Sequence, residues 1–351
     1  TYLKKTGIYV SRKIRLDPAM VDARLGKVEA SEADAERYAS FSEAARDDAA
    51  KKKLQMNGRA WIENFKKRLL EASKIEQGMV EAESALARGR FPIIFVETKA
   101  ERRIDIPYWV DEETRWSLDY ARAKSQGFDG PPRSDYGRDP EVAGKKTRDG
   151  GLPPQGIVQV LARYMDETGE TVITIPSAED VIRNRFGEDK VAIYTGSVSD
   201  TQAAKNLASW RTGANPLSVA TMAKGGAGQS LHDTAGNHQT TQININLPWT
   251  ATGVVQVAQR TARYGLKGKA ETVWLFADNI PFDRELGAKV GGRMADMGAV
   301  IYGTRPPDAG KIENFDIEGQ VFSEDAGKPA SAPAQPAAVA PPVVESAPPA
   351  P

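Results

Sequence analysis

Pro216-Leu-Ser-Val-Ala-Thr-Met-Ala-Lys-Gly-Gly-Ala-Gly-Gln-Ser-Leu-His-Asp233 opens on a short apolar run and then breaks into glycine. Residues 217–220 read as a buried strand, and the loop 224–228 leaves its carboxyl end. In parallel α/β sheets, ligands meet loops at that end. Gly225, Gly226 and Gly228 let backbone N–H groups approach an anion with no Cβ in the way, Lys224 adds a cation and Thr221 a hydroxyl. A plain structural turn has the same composition, so the loop gains meaning only from a partner element.

The candidate partner is Gln256-Val-Ala-Gln-Arg-Thr-Ala-Arg-Tyr-Gly265. Pro248-Trp-Thr250 closes the strand before it, and Thr250 or Thr252 can cap a helix over 254–263. On such a helix Gln256, Arg260 and Arg263 stand four and three residues apart, hence on one side. Val255, Ala258 and Ala262 form a different face suited to a sheet. Two guanidinium groups side by side make a fork for phosphate oxygens, and a solvated basic face is the competing reading.

Composition sets limits around these stretches. The chain has 351 residues, 40% of them hydrophobic, enough for one principal domain with appendages. It contains no cysteine, which excludes a disulfide framework and thiolate metal sites. Lys plus Arg (47) equals Asp plus Glu (47), so phosphate binding has to come from a local patch and not from net charge. The start shows no secretion signal and no window reads as a membrane span, so a cytoplasmic or nucleoid-associated location is expected.

Further strands are predicted at 91–96, 171–175, 191–194, 243–247, 272–276 and 300–302. Helical periodicity covers 60–87 up to Gly89, 157–165, a start at Ser177, 202–210 and 283–297. This alternation predicts an α/β fold with a mainly parallel sheet flanked by helices. Residues 1–57 read as a helical connector or brace, 58–305 as the α/β lobe, 99–155 as a loop-rich insertion, 306–321 as an extension, and 322–351 as a disordered Ala/Pro-rich tail. Trp210 and Trp249 are expected in the core, His232 and His238 in hydrogen-bonding loop positions, and no metal site is expected.

Four stretches stand in a telling order. Phe91-Pro-Ile-Ile-Phe-Val-Glu-Thr98, Tyr194-Thr-Gly196, Ala220-Thr-Met-Ala-Lys-Gly-Gly-Ala-Gly-Gln-Ser-Leu231 and Gln256 to Gly265 resemble motifs IV, IVa, V and VI of the second RecA-like lobe of superfamily-2 helicases. The glycine and arginine spacings are similar to those of the Swi/Snf-type and strawberry notch branches. Ser230-Leu-His-Asp233, Leu247-Pro-Trp-Thr250 and Gly7-Ile-Tyr-Val-Ser-Arg12 lean toward strawberry notch.

The resemblance implies roles for named residues. Arg260 and Arg263 would be arginine fingers on ATP, with Gln256, Gly226 and Gly228 near the nucleotide. Thr98, Thr195, Gly196, Thr221, Lys224 and Gly225 would touch nucleic-acid backbone, expected to be DNA, with weak sequence specificity.

ATP and Mg²⁺ in such a motor are held mainly by a first lobe, which needs GxxxxGK[S/T] and an acidic motif. Gly144-Lys-Lys-Thr147 lacks that spacing. Tyr108-Trp-Val-Asp-Glu-Glu-Thr114 follows Pro107, which interrupts a strand. The first lobe is therefore expected in cis before Thr1, favoured by the non-methionine start, or on another chain; alone, this chain is expected to be inactive. The alternatives are a non-catalytic nucleic-acid- or protein-binding module, and an α/β enzyme using 224–228 as its own phosphate cradle.

Overall fold

The computed structural model describes residues 20–46, 56–97, 100–132, 135–136, 152–154, 156–222, 231–263 and 265–302. Residues 1–19, Lys51 to Lys53, Thr98, the 223–230 loop with Lys224, Gly225, Gly226 and Gly228, Gly144 to Thr147, and 303–351 lie outside them.

Six strands form one parallel sheet in the order β1-β8-β7-β2-β6-β5. These are β1 (Val21–Val28), β2 (Phe91–Val96), β5 (Val191–Tyr194), β6 (Leu217–Thr221), β7 (Thr240–Asn244) and β8 (Ala270–Ala277). Two further strands among the described residues, β3 (Arg102–Asp105) and β4 (Val172–Ile175), pair antiparallel in a separate ribbon. The chain is an α/β protein whose parallel sheet is flanked by helices, as expected.

Strand alternation sends successive side chains to opposite faces, and both faces are covered. Ile94, Val96, Val273 and Leu275 meet Ile75, Met79 and Ala82 of α2 (Met56–Ala87) and Ile182 of α5 (Ala178–Phe186). Ile93 and Phe95 face Leu207 and Trp210 of α6 (Asp200–Thr212). Trp274 and Phe276 face Val257 of α7 (Ala251–Ala258) and Leu286 and Val290 of α8 (Pro281–Tyr302).

A third core lies beyond the carboxyl edge. There α1 (Glu32–Ala44), the first half of α2, α3 (Ile106–Ser125), α4 (Ile157–Thr168) and the ribbon gather around Phe41, Phe65, Ile104 and Tyr164. The 32-residue α2 reaches both cores because at 1.5 Å per residue it is about twice as long as the strands beside it.

Several elements differ from the sequence expectation for identifiable reasons. Residues 21–28, inside the stretch read as a connector, form an edge strand paired with β8 from Val21↔Ala270 to Val28↔Ala277. Asp22 and Arg24 alternate with Val21, Ala23 and Leu25, but such charges read as linker until their partners are known, and charged edges of this kind blunt strand-to-strand association. Within 99–155, residues 102–125 are regular and not loop. Asp105 caps α3 by accepting from the Tyr108 N–H at 3.1 Å, and Pro107 sits in the first turn, where its missing N–H costs nothing. Tyr108 to Thr114 is thus helical and is not the acidic strand motif it mimics.

The strand expected at 300–302 is the end of α8. The one expected at 243–247 begins three residues earlier, at Thr240, because buried Thr240, Thr241 and Gln242 satisfy their polar groups inside the sheet. Among the described residues no helix is long and apolar enough to cross a membrane.

Candidate nucleotide and nucleic-acid interface

The two motif stretches meet. The Leu231 N–H donates to the Arg260 carbonyl at 2.9 Å, and the Lys267 N–H donates to the Asp233 carbonyl at 2.8 Å. Residues 231–239 lead into β7 and 245–263 leave its carboxyl end, and both pack on the face of the sheet that carries Phe95 and Trp274. Leu231 is buried against Ile93 and Phe95, and Ala258 and Ala262 are buried against Trp274.

Thr250 caps α7, its hydroxyl accepting from the Gly253 N–H at 3.0 Å. The helix ends at Ala258, five residues before the expected end at Arg263. Its last turn tightens, with the Arg260 N–H on the Val257 carbonyl at 3.0 Å. Tertiary contacts then outbid another helical turn: the Arg260 carbonyl is taken by Leu231, and the Thr261 hydroxyl donates to Gln242 Oε1 at 3.1 Å in the buried row of β7.

Gln256 is therefore exposed on the helix proper, while Arg260 and Arg263 are half-buried beyond it. The three do not share one helical stripe, which corrects the spacing argument. Gly265 takes φ +90°, left-handed backbone that suits glycine, and a Cβ there would lie 3.7 Å from His232 Nε2.

The electrostatics of this junction are positive. Burial, and then the Arg263 charge, lowers the Arg260 pKa. Burial, Arg263 and Arg211 push the His232 pKa down, against a partial offset from Asp233. The Asp233 carboxylate is occupied elsewhere, accepting from the N–H groups of Ala235 (2.9 Å), Gly236 (2.8 Å) and His238 (2.9 Å). Burial opposes its ionisation, yet these donors hold its pKa below the usual carboxylate value. The Arg263 charge bears on Arg260, and two neighbouring guanidinium groups have the chemistry to bind a multiply charged oxyanion. Among the described residues no group of three or more His, Asp or Glu side chains is placed to hold a metal ion.

Of the expected nucleic-acid contacts, the described residues Thr195, Gly196 and Thr221 fall at the carboxyl edge but are not equivalent. Thr195 is buried, donating to Glu179 Oε2 at 2.8 Å, so its hydroxyl serves the fold, while Gly196 beside it is exposed. Thr221 ends β6 opposite Val96 and is buried. Trp210 lies in the core as expected, its indole N–H donating to the Pro92 carbonyl at 3.2 Å. Trp249 does not: it is 36% exposed at this edge.

Sequence reasoning passed over Lys67, Glu71 and Asn246, which meet there. The Glu97 N–H donates to Glu71 Oε1 at 2.5 Å, Lys67 Nζ donates to Glu97 Oε1 at 2.7 Å, and Asn246 Nδ2 donates to the Lys67 carbonyl at 3.1 Å. The available signal was the spacing of Lys67, Glu71 and Lys74 at i, i+4 and i+7 of one helix.

His238 is an aromatic packing element more than a hydrogen-bonding loop residue. Its ring stacks on Phe91 with centroids 3.8 Å apart and stands edge-on to Trp210 at 4.5 Å. Burial pulls its pKa down to about 4. The unfolded chain, with a histidine pKa of about 6.5, then binds a proton that the native state refuses. Stability should fall as pH drops from about 6.5 toward 4, by at most ~1.4 kcal/mol per pH unit. Urea unfolding across that window checks this, and His238→Phe should flatten the slope.

Neither a protein-family model nor a curated protein sequence matches the chain. Among solved structures it is similar to the C-terminal part of the Fun30 ATPase domain, at 12% identity and TM-score 0.36 over 77% of this chain and 88% of that one. It is also similar to domain 2 of the DEAD-box helicase Mss116p bound to an RNA duplex, at 11% identity and TM-score 0.30 over 72% and 80%. A third is a hypothetical ATP-dependent RNA helicase from Sulfolobus tokodaii, at 18% identity and TM-score 0.23 over 30% and 29%, so the chain spans less than a third of that protein. At these identities and scores the likenesses assign no activity, and the functional reading rests on the chain's own residues.

Proposed function

We propose that this chain is the second motor lobe of an ATP-dependent nucleic-acid helicase or translocase, of the branch containing strawberry notch and Swi/Snf-type proteins. The reading is supported above all by the junction at which the Leu231 N–H meets the Arg260 carbonyl, where the stretches resembling motifs V and VI lie side by side. In it, ATP and Mg²⁺ are held by a first lobe in cis or in trans. Arg260 and Arg263 reach the transferring γ-phosphate and stabilise its developing charge. Gln256, on the exposed side of α7, faces the nucleotide from further out. Lys224, Gly225, Gly226 and Gly228 would connect that site to the nucleic acid, and Thr98 and Gly196 would meet the backbone of DNA; Thr195 and Thr221, both buried, would contribute only through their main chain.

Backbone-directed binding of this kind is salt-dependent. Anisotropy of a labelled oligonucleotide should give an affinity that falls linearly in log–log against salt and changes little with base sequence. An affinity indifferent to salt would refute the backbone-contact part of the reading.

A further inference from the structure

We propose that Lys67 is a positioning residue that couples the nucleic-acid edge of the sheet to the helix leading to the two arginines. The inference rests on the motor-lobe reading for what the edge binds, but its geometry is independent of that reading. Lys67 lies in α2 where the helix passes the carboxyl ends of β2 and β7, and its side chain is only 4% exposed.

Two different groups of this one residue hold two different turns. Its ammonium donates to Glu97 Oε1 at 2.7 Å, in the turn that leaves β2. Its carbonyl accepts from Asn246 Nδ2 at 3.1 Å, in the turn that leaves β7 for α7. The same ammonium stands 4.8 Å from the ring centroid of Trp249, the residue before the Thr250 cap.

The β2 turn is fixed a second time by Glu71, one helical turn along α2, which accepts from the Glu97 N–H at 2.5 Å. An ion pair that is mostly removed from water is stiff, because moving one partner strands the other's charge. A displacement of the β2 turn by a bound strand therefore transmits to Lys67, and from there to Trp249 and the first turn of α7. Coupling of this sort needs a physical element that both sites bias, and the Lys67–Glu97 pair is that element. In sequence Lys67 reads as one of several charges on a long helix, which is why its role shows only in three dimensions.

Hydrogen exchange on the 351-residue chain, with and without an oligothymidine single strand, tests this. In the wild type the strand should slow exchange in peptides covering 91–97 and also in those covering 245–258, by about threefold or more, within the range for side-chain coupling. In Lys67→Met only the first should slow, and Lys67→Arg should restore both. A purely structural role would change both peptides alike with no strand present.

Should Lys67→Met fail to fold, Glu97→Gln removes the same ion pair from its more exposed side and should give the same loss. Protection of 245–258 that survives Lys67→Met or Glu97→Gln, or wild-type protection confined to 91–97, overturns the coupling and leaves the motor-lobe reading in place. Wild-type protection of neither peptide removes the nucleic-acid edge itself, and the coupling with it.

Discussion

Asp283→Ala is expected to destabilise the protein by about 3–5 kcal/mol, the cost of stranding one member of a buried ion pair. Lys74 and Asp283 are both fully buried, with Nζ to Oδ2 at 3.0 Å. Lys74 Nζ also donates to the Leu275 carbonyl at 3.2 Å, and Asp283 Oδ2 accepts from the Ala277 N–H at 2.8 Å. The pair therefore ties α2, the end of β8 and the start of α8 in one place.

Removing the carboxylate leaves an ammonium in apolar surroundings and an orphaned amide. Burial already lowers the Lys74 pKa against the pull of Asp283. Between its folded pKa and the unfolded value of about 10.4, the unfolded chain holds the proton more tightly, so stability rises with pH in that window. The loss in Asp283→Ala should accordingly shrink toward pH 10. Urea unfolding at neutral and alkaline pH reads both effects, and a double variant Lys74→Met with Asp283→Leu should cost much less than the single one.

Arg260→Ala carries the largest expected effect on activity. In a motor containing both lobes it should lower the kcat for ATP hydrolysis by roughly 10³-fold, equivalent to about 4 kcal/mol of transition-state stabilisation. Nucleic-acid affinity should move little, because the proposed nucleic-acid contacts do not include Arg260. Lysine in its place should recover only a small part, since an ammonium does not reproduce the planar, bidentate fork. A variant that keeps full turnover would return Arg260 to a solvated basic face.

Much of the fold was legible where burial is uniform. β2 and β5 stand at the residues their apolar runs mark, 91–96 and 191–194, and Ser177 and Gly89 punctuate their helices as read. Two of the misreadings, β1 and the start of β7, share one physical cause, polar groups satisfied by partners distant in sequence. β1 hides behind Arg24, whose charge is met by Glu81 and Glu271. The polar start of β7 hides behind Thr241, which donates to Glu271 at 3.0 Å.

At the candidate site the residue types were visible but their geometry was not. Helical spacing put Gln256, Arg260 and Arg263 on one face, whereas the Leu231 and Gln242 contacts end the helix before either arginine. Arg211, whose charge bears on His232, sits at the end of α6, a distant element that no local pattern links to the arginine motif.

The most direct measurement is ATP turnover by this chain at saturating oligonucleotide, alone and then joined to a lobe that carries a phosphate-binding loop. The account predicts no turnover from the chain alone and nucleic-acid-stimulated turnover once the first lobe is present. Robust hydrolysis by the isolated chain, or none after a folded first lobe is supplied, would contradict it.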